Sequence, residues 1–139
     1  MGQSPVPFGR PIDEWLRELE AARPERRRQA ALALGKLGDS HALHPLVHML
    51  EDASPEVRSE AASALAALNQ PESVAPLLVV SRTDPDPNVR LEAVRALGCI
   101  LDPRAEESLL AARAHDPAPR VRGMAAWALE EMDRHRRSR

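Results

Sequence analysis

The chain has 139 residues, enough for one domain with a core of its own. A formal net charge of −2 argues against generic polyanion binding, and a single cysteine excludes an internal disulfide framework. Aromatics are 2% of residues, so Ala and Leu must supply the apolar contacts, and both favour helix over sheet. No stretch approaches the ~18 consecutive apolar residues of a membrane span. The opening MGQSPVPFGRP lacks the apolar run of a secretory leader, and Val6 stands where a myristoylation signal has Ser or Thr. Residues 1–10 are therefore expected to be a flexible lead-in, and the protein to be soluble and cytoplasmic.

In chain order, the first element is IDEWLRELEAA, in which Ile12, Trp15, Leu16 and Leu19 recur at helical spacing. PERRRQAALALGKL follows from Pro24, and HALHPLVHML from His41. PEVRSEAASALAAL begins at Pro55, ESVAPLLVV at Glu72, PNVRLEAVRALGCI at Pro87, RAEESLLAA at Arg104 and PRVRGMAAWALEEM at Pro119. The four Pro-led segments superpose, with their prolines 31, 32 and 32 residues apart. Pro is tolerated at the first helical position, where its missing N–H has no partner in any case, so the four mark helix starts.

These four are the A helices. Ala30, Ala61, Ala93 and Ala125 share one position, and Ala33, Ala64, Ala96 and Ala128 another. Leu34, Leu65, Leu97 and Leu129 share a third, and Leu37, Leu68, Ile100 and Met132 a fourth. Offsets of three, four and seven put all four positions on one helical face, the small ones where a neighbouring helix presses closest. Between them lie the B helices, aligned on Leu46, Leu77 and Leu109, with Trp15 falling in the same position of the first.

The chain therefore divides into four B–A pairs, residues 11–38, 39–69, 70–101 and 102–134, followed by a basic tail over 135–139. A fixed period of this length is the mark of a solenoid. The expected fold is all-α, an α-α superhelix of about eight antiparallel helices in four stacked pairs.

The frame D-x-x-x-x-V-R-x-x-A-A/V-x-A-L resembles the short HEAT repeat of the phycobilin-lyase type. It is carried by Asp52/Val57/Arg58, Asp84/Val89/Arg90 and Asp116/Val121/Arg122. The resemblance implies a HEAT-like superhelix and says little about function, because one fold serves many roles. Unit one departs from the frame, with Arg26 in the valine position and Ala21 near the Asp position, so the Asp/Arg ladder is expected to begin at unit two. Each Asp is expected to bind free backbone N–H groups at a helix start, and each Arg to reach back across the connection or on to the next unit.

His41, His44 and His48, three and four residues apart, share a helix face at a spacing that suits a transition metal. No acidic or cysteine ligand stands in the same run, so a solvated stripe is expected, with no metal and no cofactor. HEAT-like diiron hydroxylases carry His-Glu pairs, whereas here the histidines precede Ala, Pro, Met, Asp and Arg. Nothing resembles a nucleophile with its base or a Gly-rich phosphate loop, and Glu106–Glu107 and Glu130–Glu131 diverge around their helices. The reading is a protein that is not an enzyme. Cys99 has no cationic neighbour evident in the sequence and is expected to be inert.

In HEAT-like stacks the B helices usually line the concave side, so the resemblance implies a groove built from outward B positions. One row is Asp13, His44, Ala75 and Glu107, and the next is Arg17, His48, Val79 and Ala111. Core positions repeat in every unit while these differ, as expected of residues shaped by a ligand rather than by stacking. The expected function is a non-enzymatic scaffold or adaptor that binds a protein or peptide partner there. Trp127, with Met124 and Met132 on the last helix, is a second candidate contact, leaving a monomer or a dimer through that helix.

Two alternatives stand beside the scaffold. One is an accessory subunit of a chromophore-lyase-like or other enzyme complex. The other is nucleic-acid binding by the basic clusters Arg23, Arg26, Arg27, Arg28 and Arg134, His135, Arg136, Arg137, Arg139. Circular dichroism should show a mostly helical protein, and a clear β-sheet signal would defeat the repeat argument.

Overall fold

Alanine-rich segments led by proline have one simple way to bury their apolar stripe, which is to pack on copies of themselves. The computed structural model describes residues 11–139, so the lead-in expected over residues 1–10 lies outside the described residues. It is all-helical, with no strand among those residues. The A helices are α2 (Pro24–Leu37), α4 (Pro55–Leu68), α6 (Pro87–Ile100) and α8 (Pro119–Arg137). All four start at the prolines that the spacing singles out. The B helices are α1 (Pro11–Glu18), α3 (Leu43–Met49), α5 (Val74–Thr83) and α7 (Glu106–His115). α8 runs three residues past position 134, so most of the basic tail continues the last helix.

Three B helices are entered through a 3-10 turn, at Ser40–Ala42, Pro71–Ser73 and Pro103–Ala105. The turns place Pro45 and Pro76 in the first α-helical turn of α3 and α5, where a missing N–H breaks no bond. Asp39 and Asp102 cap two of these turns through the backbone N–H of His41 and Arg104. Among the A helices, Ser54 caps α4 and Asp86 caps α6. α2, α4 and α6 end on a left-handed residue, Gly38, Asn69 and Leu101 in turn. Gly and Asn suit that conformation; Leu101 is held in it by packing on the core.

The apolar positions become one continuous core. Leu34, Leu65 and Leu97 are buried, as are Leu46, Leu77 and Leu109. Trp15 departs from its expected position: it aligns with Leu46 yet is 37% exposed. Among the described residues α1 packs mainly on α2, which leaves that side of it open. Leu37 is likewise exposed, while its counterparts Leu68 and Met132 are buried.

The two layers pack differently. Successive A helices lie directly against one another, α2 on α4, α4 on α6 and α6 on α8, whereas successive B helices barely meet. The cause is at the crossings. A Cβ on Gly35 would sit 2.9 Å from the Ala64 Cα, and one on Gly98 would sit 2.7 Å from the Ala128 Cβ. With no side chain between them, the A backbones approach closely, and the stack bends toward the tighter layer.

The A helices therefore line the inner side and the B helices the outer. This corrects the concave placement of the B helices. The family's rule concerns which layer is inner, and here the layer of small residues takes that place.

This packing sets a sign that helix propensity alone would miss. Ala is the better helix former by ~1 kcal/mol, so Gly98→Ala on an uncrowded helix would stabilise. Here the added methyl meets a Cβ and a Cα that cannot rotate away, and overpacking costs ~1–3 kcal/mol. Gly98→Ala should therefore lower the melting temperature, whereas Gly123→Ala, with open space around it, should not. Thermal melts of the two variants check this.

Candidate partner-binding surface

Arginine carries five donors in a rigid fork, so one side chain can tie a loop and a carboxylate together. The ladder does this between units. The Nε and Nη2 of Arg58 donate to Asp84 at 2.9 and 3.2 Å, and those of Arg90 donate to Asp116 at 3.0 and 3.2 Å. The Nη1 of Arg58 donates to the Asp52 carbonyl at 2.8 Å, and that of Arg90 to the Asp84 carbonyl at 2.9 Å. Each of Asp52, Asp84 and Asp116 also accepts the N–H of the residue two further on. That residue is the one preceding the helix, so the carboxylate orders the connection without capping the helix itself.

The ladder starts one unit earlier than expected. Arg27 donates to Asp52 at 2.9 and 3.1 Å and to the Ala21 carbonyl at 2.8 Å. Only the aspartate is missing from unit one; its arginine stands one residue after Arg26, in the ladder position. Burial acts to raise the Asp52 pKa, but the Arg27 hydrogen bond, the Ser54 N–H and the charges of Arg27 and Arg58 hold it below the usual carboxylate value. This rung therefore contributes fully above the ordinary carboxylate pKa and is lost as pH falls through the lowered one. At the other end, Arg122 keeps the carbonyl contact, to Asp116 at 2.8 Å, and has no carboxylate among the described residues.

The basic clusters are largely neutralised within the fold. Arg26 pairs with Glu18, Arg27 with Asp52 and Arg28 with Glu60. In the last helix Arg134 pairs with Glu131, Arg136 with Glu106 and Arg137 with Asp133.

Of the B-helix residues singled out in the sequence, Arg17, His44, His48, Ala75, Val79, Glu107 and Ala111 are exposed, and Asp13 is half-buried. They do not form one patch, because the B helices stand apart and grooves open between them. The larger groove, about 470 Å³ between α3 and α5, has Val47, Leu50, Pro76, Val79 and Val80 among its walls. Val79 is 51% exposed there, and Glu51 lies at the rim. The next groove, about 300 Å³ between α5 and α7, includes Ala111, Arg82 and His115. Rows of outward positions named Val79 and Ala111 but not their groove walls, because a row runs along exposed positions and a groove includes half-buried ones.

His41 contacts Asp39 at 2.7 Å, and no group of three or more His, Cys, Asp or Glu converges to hold a metal among the described residues. Cys99 does have a cationic neighbour: Nη1 of Arg95 lies 3.8 Å from its Sγ. The offset of four residues on one helix was the available signal. That guanidinium is shared with Glu92 at 3.0 Å and Ser63 at 3.0 Å. Trp127 is 37% exposed on the inner layer, in a pocket with Arg95, Cys99, Gly123 and Met124. Its ring edge lies 2.8 Å from where a Gly98 Cβ would stand, so the ring seats in the space the glycine leaves.

With this geometry the relationships can be read. The sequence matches the family described as HEAT repeats over residues 12–83 and 74–138, and the protein belongs to that family. Human deoxyhypusine hydroxylase in complex with glycerol is similar over 90% of this chain and 44% of its own, with 29% identity and a TM-score of 0.78. This chain thus spans less than half of that one. The complex of CpcE and CpcF of phycocyanin lyase from Nostoc sp. PCC7120 is similar over 88% and 78%, with 24% identity and a TM-score of 0.71. An engineered protein matches over 88% and 62%, at 23% identity and a TM-score of 0.64. A comparison with the curated proteins finds no match. No helix among the described residues is long and apolar enough to cross a membrane.

The rungs yield a graded expectation. Arg58→Met would leave the largely buried Asp84 without its counter-ion, at a cost of ~3–5 kcal/mol. Arg122→Met, with no carboxylate to strand, should cost ~1 kcal/mol. Equal losses in urea denaturation would show that the rungs are not what couples the units.

Proposed function

We propose that the protein is a non-enzymatic scaffold that docks a protein or peptide partner on its outer, B-helix layer. One observation carries this reading: Val79, a branched apolar residue, stands 51% exposed in a groove that Val47, Leu50, Pro76 and Val80 also line. Stacking does not require it, since the equivalent position of the next unit is Ala111 and of the previous one His48. Apolar surface kept in a concave place is a common ground for recognition.

The other surfaces have more local explanations. Trp127 fills the space over Gly98. Most cations of the basic clusters are held in ion pairs, which speaks against the nucleic-acid reading. The accessory-subunit reading is supported by the likeness to a lyase that is itself a two-protein complex. It is compatible with a docking face. Deoxyhypusine hydroxylase shares the fold, but this chain has no His-Glu pair to offer comparable chemistry.

The test is affinity capture from the source cells with wild-type and substituted protein. Val79→Arg should abolish recovery of the specific partner while shifting stability by ~0.5 kcal/mol or less, as surface changes do. Capture that survives Val79→Arg and disappears with Trp127→Ala would move the interface to the inner layer and refute the proposal.

A further inference from the structure

The grooves on the two sides of α5 are built from the same repeat positions, one unit apart. Arg58, Asp84 and Pro85 in the first correspond to Arg90, Asp116 and Pro117 in the second. These shared residues serve the rung and its loop, so they cannot tell one groove from the other. The remaining positions have diverged in chemistry. Leu50, Pro76, Val79 and Val80 in the first groove stand where Ser81, Ser108, Ala111 and Ala112 stand in the second. At the rims, Glu51 and Thr83 are replaced by Arg82 and His115.

The rim charges are not consumed by the fold. Glu51 is exposed and its carboxylate has no partner among the described residues. Arg82 donates to the Ser108 hydroxyl at 3.1 Å and meets no carboxylate among them, and His115 is exposed with no side-chain partner. Along the stack the order is a carboxylate in the turn after α3, an aliphatic groove, a guanidinium on α5 and an imidazole on α7. The surface is thus polar in a fixed direction across α5.

Resting on the docking reading above, we infer that the outer layer binds an extended segment of a partner protein with complementary order: a basic residue, then a branched aliphatic, then an acidic residue. The aliphatic side chain fills the first groove against Leu50, Pro76, Val79 and Val80. The basic group meets Glu51, and the carboxylate meets Arg82 and His115. Neighbouring units are separated by about 10 Å, a helix diameter, which extended chain covers in about three residues. The segment's charged residues therefore fall two to four residues to either side of the aliphatic one. The apolar contact supplies affinity, and the two charge pairs fix register and select against the reversed polarity.

The experiment uses a displayed library of random linear decapeptides selected on the full chain. The enriched peptides are then titrated by fluorescence anisotropy against wild type, Val79→Arg, Glu51→Arg and Glu51→Gln, with circular dichroism melts on each. Enrichment of the basic–aliphatic–acidic order, in either chain direction, is expected. Glu51→Arg should weaken binding by about fivefold to tenfold and Glu51→Gln by less. Replacing the peptide's basic residue by Glu should restore affinity for Glu51→Arg.

Enriched peptides with acid beside the aliphatic, or with no charge pattern, overturn this inference, as does indifference to Glu51→Arg. If such peptides still lose binding with Val79→Arg, the docking face stands and only the partner's chemistry is wrong. If binding ignores Val79→Arg and is lost with Trp127→Ala, both fail. No enrichment at all overturns the extended-segment inference and leaves the docking face to be judged by capture.

Discussion

At two of the A-helix crossings there is no room for a side chain. Gly35 lies against Ala64, and Gly98 against Ala128, so closely that even a methyl group would collide. Dispersion contacts favour such close approach, and the A layer becomes a dense row. The B helices are tied to the same units but have no glycine crossings of this kind, and they stand farther apart. Unequal spacing in two linked layers bends the stack, and the bend opens grooves on the looser side. The grooves are thus a consequence of glycine and alanine in the opposite layer.

The Arg–Asp rungs do a different job. Packing of small residues is smooth and would tolerate sliding, whereas a bidentate guanidinium–carboxylate pair has one geometry. Arg27, Arg58 and Arg90 each bind a loop of their own unit and an aspartate of the next. Such pairs fix how far each unit is rotated on its neighbour, and through that the relative placement of the grooves. Buried ion pairs give little net stability, and specification of geometry is the better account of their presence in every junction.

The period was fully legible because it is written in two independent ways, in the prolines and in the small and large apolar positions. The helix starts at Pro24, Pro55, Pro87 and Pro119 follow from it. The direction of bending was not legible. It depends on the difference between two interhelical spacings, and the pattern shows which residues meet without showing how closely. The first rung at Arg27 was hidden by the search frame, since Arg26 breaks the Val-Arg pair that marks the other units. Trp15 aligned with buried leucines but is exposed, because alignment within a repeat takes no account of which neighbours each unit has among the described residues.

The candidate surface was legible for a related reason. A repeat protein contains its own control, since every unit meets the same demands of folding and stacking. A residue kept in all units is explained by those demands. One that changes between units is either unconstrained or constrained by something outside the stack. Exposed positions under no constraint usually carry polar or small residues, as Ala111 and His48 do. Val79 breaks that expectation, in a groove that the core residues Leu50 and Val80 and the half-buried Pro76 also line. These three apolar neighbours extend the apolar surface that the valine presents. Their position beside Glu51, a carboxylate that the fold leaves without a counter-ion among the described residues, gives the groove both an affinity element and a direction.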